Sequence, residues 1–299
     1  MSIEIKNVSY TYMPGTPFES KALDDVSLTV EEGSFVAIAG HTGSGKSTML
    51  QHMNGLLQPT SGEIVIDGQA LFGKGKEVKS ARDKVGMVFQ YPEHQLFEET
   101  VEADIAFGPK NRGLSEKEVA ARVKMAMEFV GVDYEAYRQK SPFGLSGGEM
   151  RRVAIAGVVA LSPKYLVLDE PTAGLNPQGR DELLEKIREL HEKRHMTIVF
   201  VSHDMDAIAR YAERIIVLSG GRLVLDAAPY EAYSNKETIE SAGLLLPRLT
   251  TLLRTVEAHG LKLNLKPKDM LTVEGAVRAI MAAKRPAPKA KNNQRGGKG

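Results

Sequence analysis

Phe35-Val-Ala-Ile-Ala39-Gly40-His-Thr-Gly-Ser-Gly45-Lys46-Ser47-Thr48 is the stretch that decides the fold. Its first five residues are apolar without interruption, as in a strand buried on both faces. Gly40 to Ser47 then matches G-x-x-x-x-G-K-[ST], with a helix expected to start near Lys46. The glycines let the backbone turn tightly, so that its N–H groups form an anion cradle at a helix N-terminus, where the dipole favours negative charge. Gly40, His41, Thr42, Gly43, Ser44, Gly45, Lys46, Ser47 and Thr48 are therefore candidate nucleotide-binding residues. Lys46 is expected to reach the β- and γ-phosphates, and Ser47 to bind Mg2+.

Further short apolar runs, Val85–Phe89, Leu166–Leu168, Thr197–Val201 and Ile215–Leu218, alternate with helical stretches and predict an α/β fold with a largely parallel sheet. Ile3–Val8 and Leu23–Val30 instead alternate apolar and polar residues, which predicts antiparallel strands over the edge of the core. Between about 90 and 161 the strand signal fades. Ser115–Val130 has helical spacing with a possible capping box at Ser115 and Glu118, so this region is expected to be a helical insertion. Residues 1–227 are taken as the nucleotide-binding domain, 228–283 as a small C-terminal helical domain and 284–299 as a disordered basic tail. Met49 and Met53, four apart on the helix after the glycine-rich loop, are expected in the core.

Composition narrows the function. The 299 residues contain no cysteine, which excludes disulfides, thiolate metal sites and a cysteine nucleophile, and fits a cytoplasmic setting. The longest apolar run, Val153 to Leu161, is nine residues, too short to span a bilayer. Six of the 39 basic residues follow Ala283, so the preceding chain is net acidic and ill suited to non-specific nucleic-acid binding.

Tyr165-Leu-Val-Leu-Asp169-Glu170 is an apolar strand that ends in two carboxylates. Beside a phosphate loop such a pair suits magnesium and water chemistry: Asp169 for the Mg2+ shell, Glu170 as the base that polarises an attacking water.

Leu145-Ser146-Gly147-Gly148-Glu149 lies between these motifs, and the ordered set resembles the ATP-binding cassette family over residues 2–226. The set continues with Gln90 at the end of a strand, Asn176 in Ala173-Gly-Leu-Asn-Pro177, and His203 after the strand Thr197–Val201. The resemblance implies a cassette fold with a RecA-like core, ATP and Mg2+ as ligands, and a head-to-tail dimer. In it, Ser146, Gly147 and Gly148 would face the γ-phosphate held by the other cassette. It further implies that Gln90 contacts Mg2+ or the attacking water, that His203 hydrogen-bonds the γ-phosphate, and that Tyr12 stacks on adenine, with Tyr10 as the competing candidate.

Phe89-Gln-Tyr-Pro-Glu-His-Gln-Leu-Phe97, Thr172-Ala-Gly-Leu175 and Leu246-Pro-Arg-Leu-Thr-Thr-Leu-Leu253 are similar to the ATPase subunits of energy-coupling factor transporters, importers of vitamins or transition-metal ions. The resemblance implies three partners: a second ATPase, identical or homologous, a transmembrane coupling protein and a small membrane protein that captures substrate. The chain would then sit peripherally on the cytoplasmic face of the membrane, with Gln90, Glu93 and neighbours to Phe97 lining a groove for a coupling helix. Competing readings are the ATPase of a conventional importer and a regulatory subunit that binds ATP without hydrolysing it. Asn176 stands where the family usually has Asp, which suggests unequal ATP sites. Glu149 stands where it usually has Gln, and is expected to leave Ser146 to Gly148 untouched.

Overall fold

The computed structural model describes residues 1–263 and 267–284. They fall into two compact units, Met1–Leu245 and the segment from Leu246 onward. The division lies later than the expected boundary at 227/228, because the helices that follow residue 228 pack on the first unit.

The first unit opens with β1 (Ser2–Tyr12) and β2 (Ser20–Glu31), paired antiparallel with Ile3 opposite Val30 and Ile5 opposite Leu28. Their inward residues Ile3, Ile5, Val8, Leu23, Val26 and Val30 are buried, an alternation interrupted where the register shifts between Ile5 and Val8. The phosphate-loop strand is β3 (Phe35–Ala39), and it leads into α1 (Lys46–Met53). β4 (Ser61–Ile66) and β5 (Gln69–Ala70) complete the first sheet in the order β2-β1-β4-β5. After α2 (Lys76–Asp83) comes β6 (Val85–Val88).

From β6 to the next strand the chain is helical: α3 (Val101–Asn111), α4 (Glu116–Phe129), α5 (Tyr134–Tyr137) and α6 (Gly147–Val159). The box at Ser115 and Glu118 forms as expected, with the Glu118 carboxylate accepting from Ser115 N–H at 3.0 Å. Then follow β7 (Tyr165–Asp169), α7 (Pro177–Arg194), β8 (Thr197–Val201), α8 (Met205–Tyr211), β9 (Arg214–Ser219) and β10 (Arg222–Ala227). The second sheet has the order β10-β9-β3-β8-β7-β6, parallel throughout except for β10. α9 (Pro229–Ser234) and α10 (Lys236–Ser241) close the unit, α9 packing on β9, β10 and α8.

One core joins the two sheets: Ile3, Val8 and Ile64 of the first meet Val36, Ile38, Val167 and Val201 of the second, with Met49 and Met53 between. Both methionines are fully buried. Each such side chain contributes about 1.5–3 kcal/mol through burial, so α1, and the loop that starts it, is anchored from below.

The second unit holds α11 (Arg248–Ala258) and α12 (Val273–Ala283), with a small core of Leu253, Leu263 and Ala276. The proposed basic tail, beyond Lys284, lies outside the described residues.

Candidate active site

The phosphate loop is shaped by contacts that only glycine tolerates. Gly45 has φ +101, and a Cβ there would lie 2.5 Å from the Ala22 carbonyl oxygen. A Cβ on Gly40 would lie 2.3 Å from the Leu218 carbonyl oxygen. Gly45 is also the N-cap of α1, with no side-chain cap. The first N–H groups of that helix are therefore left for a ligand.

Lys46 is buried, and its Nζ donates to the carbonyls of Gly40 and His41, each at 2.9 Å. Burial pushes its pKa down, while the charges of Glu170 and Asp169 oppose that shift. The Ser44 hydroxyl is buried without a hydrogen-bond partner. A cradle too tight for a Cβ, an ammonium folded across the loop and an orphaned hydroxyl suit a multiply charged anion. His41, Thr42 and Gly43 are exposed on the same loop, and Ser47 is exposed in the first turn of α1.

Asp169 ends β7, two strands from β3 in the sheet. Burial raises its carboxyl above the usual range, and a hydrogen bond with the Ser47 hydroxyl opposes this. Two oxygen ligands joined in this way fit a hard cation that takes its other ligands from water and phosphate. Among the described residues no cluster of three or more His, Cys, Asp or Glu could hold a metal unaided.

Glu170 follows at φ +46, a left-handed backbone conformation uncommon outside glycine. Its Oε1 is 2.6 Å from His203 Nε2, and its Oε2 accepts from Gln90 Nε2 at 3.2 Å. Three residues from three loops, expected separately from the sequence, thus meet at one carboxylate. The His203 loop is fixed by Asp204, which caps α8 and pairs with Arg180 of α7. Glu170, His203, Asp204 and Arg180 line a cavity of about 250 Å³ together with Gly174 and Leu175.

Ser146 and Gly148 lie elsewhere. They line a second cavity, of about 550 Å³, with Arg151, Arg152, Asn176 and, again, Gly174 and Leu175. Neither Glu170 nor His203 lines this second cavity. Ser146 caps α6: its N–H and Oγ both donate to Glu149 Oε2, at 2.9 and 2.6 Å. Tyr137 donates to the other oxygen at 2.7 Å. Bonds from Ser146 and Tyr137 hold the Glu149 carboxyl at about 2. As an ionised carboxylate Glu149 can only accept, and so it takes hydrogen bonds from both the Ser146 N–H and its hydroxyl. Asn176 caps α7, its Oδ1 accepting from Gly179 N–H at 2.7 Å.

Tyr12, at the end of β1, is 38% exposed, and its hydroxyl lies 3.1 Å from Thr48 Oγ1 on α1. Tyr10 is half-buried, its ring edge-on to both Tyr12 and His52 and packed on the core. Of the two, Tyr12 has its ring beside the phosphate loop and open to solvent.

Sequence reasoning missed Arg151. A basic residue in a helix reads as solvent-facing, yet this one is buried. Its Nε and Nη2 donate to the two carboxylate oxygens of Glu93, both at 3.0 Å, and Nη1 donates to the Ala173 carbonyl. Glu93, expected to face a docking groove, turns its carboxylate inward to this pair. Exposed aromatics remain nearby: Tyr91, Phe97 and Phe107, the last two edge to face with centroids 4.9 Å apart.

Comparison with known proteins places the chain by family and fold. A family model described as ABC transporter matches residues 23–173. The chain is 52% identical to the energy-coupling factor transporter ATP-binding protein EcfA2 of Clostridium tetani over 281 residues, 94% of this chain and 96% of the relative. It is 53% identical to the protein of the same name from Clostridium acetobutylicum, over 94% of this chain and 97% of the relative. Among solved structures, cbiO1 of Clostridium perfringens, described as part of the ABC transporter complex cbiONQ, superposes with a TM-score of 0.71 and 37% identity, covering 84% of this chain and 98% of that one. The dimeric, post-hydrolysis cassette MJ0796 bound to ADP and Pi gives a TM-score of 0.68 at 32% identity, over 76% of this chain and 98% of that one.

Proposed function

We propose, for a chain that belongs to the ABC transporter family and resembles its energy-coupling factor ATPases over nearly its whole length, that it energises such an importer as one half of a head-to-tail ATPase pair. The observation that carries the reading is the division of the site. Lys46, Ser47 and Asp169 stand with Gln90, Glu170 and His203 at the C-terminal ends of the parallel strands, while Ser146 and Gly148 line a separate cavity. A second ATPase, identical or homologous, supplies the missing signature face.

In this reading the N–H groups at the start of α1 and the Lys46 ammonium hold the phosphates of ATP, and the Tyr12 ring stacks on adenine. Ser47 and Asp169 hold Mg2+, which when bound neutralises charge on the transferring phosphoryl group. Glu170 orients the attacking water and accepts its proton, with Gln90 fixing the carboxylate. His203 turns from Glu170 to the γ-phosphate once the nucleotide is in place. Hydrolysis reopens the pair. The chain acts peripherally at the cytoplasmic face of the membrane through a coupling protein and a small substrate-capture protein. No helix among the described residues is long and apolar enough to cross a bilayer.

The test is to purify the tagged chain from detergent-solubilised native membranes and identify its companions by mass spectrometry. A second ATPase with a coupling protein and small membrane proteins is expected. A permease pair with an external binding protein would replace this reading with that of a conventional importer.

A further inference from the structure

Arg151, the buried arginine on the N-terminal half of α6, touches both the segment that follows Gln90 and the segment that follows Glu170. Arg151 grips Glu93 with the two-pronged geometry that only a guanidinium offers. Glu93 sits in the turn Pro92–Gln95, three residues after Gln90. The same guanidinium donates to the carbonyl of Ala173 and, at 3.5 Å, to that of Pro171, in the loop that follows Glu170. It also lies 5.7 Å from the centroid of the Tyr91 ring, next in the chain to Gln90. The Arg151 and Glu93 side chains are only 3% and 15% exposed. An ion pair this enclosed gives little net stability relative to an apolar pair of similar volume, so its worth lies in geometry.

We infer that Arg151 is a positioning residue: from the first turns of the signature helix it fixes the backbone on either side of the Gln90–Glu170 contact, and so sets the placement of Glu170 for water activation. The inference rests on the proposed role of Glu170. It also gives the Ser146–Gly148 end of α6 a mechanical link to the base within its own chain, distinct from its contact with nucleotide on the other ATPase. Glu170 needs such support, since its backbone is held at φ +46 and neither Gln90 nor His203 is buried.

The test uses the assembled transporter and measures kcat, the apparent KM for ATP and the unfolding midpoint. Arg151→Met lowers kcat roughly 10- to 100-fold, the scale of a small misplacement of a catalytic group, with KM nearly unchanged. It also lowers the midpoint, because the Glu93 carboxylate is left buried and unpaired. The double variant Arg151→Met/Glu93→Met removes that charge and restores the midpoint, while kcat stays low. Recovery of kcat together with the midpoint would reduce Arg151 to a structural residue and overturn the inference. An unchanged kcat in Arg151→Met would overturn it as well. Failure of the underlying role is seen separately: Glu170→Gln would then keep wild-type turnover, whatever the Arg151 variants do.

Discussion

Two glycine-rich segments each open a helix, and they are finished in opposite ways. At α1 the cap is Gly45, which offers no side chain, and the loop is held by close backbone packing and by the buried Lys46. At α6 the cap is Ser146, and a capping box with Glu149 satisfies the N–H groups of both residues. The start of α1 is thus left open to a ligand, whereas α6 has already spent two donors on itself and keeps only those of Gly147 and Gly148. One segment is a receptacle built before the nucleotide arrives. The other is an exposed helix start whose cap comes from its own side chains.

The contrast can be broken most directly at the base. Glu170→Gln should lower kcat by roughly 10²- to 10⁴-fold, the range for a general base, while ATP binding persists and the closed dimer accumulates, as read by turnover and size-exclusion chromatography with ATP. Wild-type turnover would mean that the chemistry lies outside the phosphate-loop half. Next in size, Lys46→Ala should weaken ATP binding roughly ten- to a hundredfold, as expected for losing charge-assisted hydrogen bonds worth about 1.5–3 kcal/mol. Equilibrium titration of the isolated chain measures this, and an unchanged affinity would remove Lys46 from the phosphate site.

A matched pair sharpens the comparison at the level of stability. Gly45→Ala forces a Cβ against the Ala22 carbonyl at a left-handed φ and should cost about 1–3 kcal/mol. Gly147→Ala meets nothing within 4 Å, and its unfolding midpoint should stay level or rise slightly. Equal losses at the two positions would erase the distinction. The smallest effect concerns acid. Hydrogen bonds from Ser146 and Tyr137 keep the Glu149 carboxyl at about 2, below its ordinary 4.5. Its contribution is therefore complete above about pH 4.5 and is lost as the pH falls towards about 2. Unfolding midpoints of Glu149→Gln measured across that interval should fall less steeply than those of the wild type.

The sequence announced the phosphate loop, the base strand and the capping box at Ser115 because each is local: period, glycine and cap lie within a few residues of one another. β4, β5 and β10 gave no comparable signal. Ser61–Ile66 has only three consecutive apolar residues at its end and Arg222–Ala227 has three between Arg222 and Asp226, runs too short to stand out, and both strands sit toward sheet edges. The Arg151–Glu93 pair was invisible for another reason. Its members stand 58 residues apart, and neither has a neighbour that marks it as buried. The first unit runs past 227 because Pro229 occupies the first turn of α9, where proline is at home, and that helix packs on the unit's own strands.

Gly174 and Leu175 border both the cavity of Glu170 and that of Ser146. These two residues of backbone are thus one wall seen from both sides, so a substitution at either position alters the lining of both hollows at once.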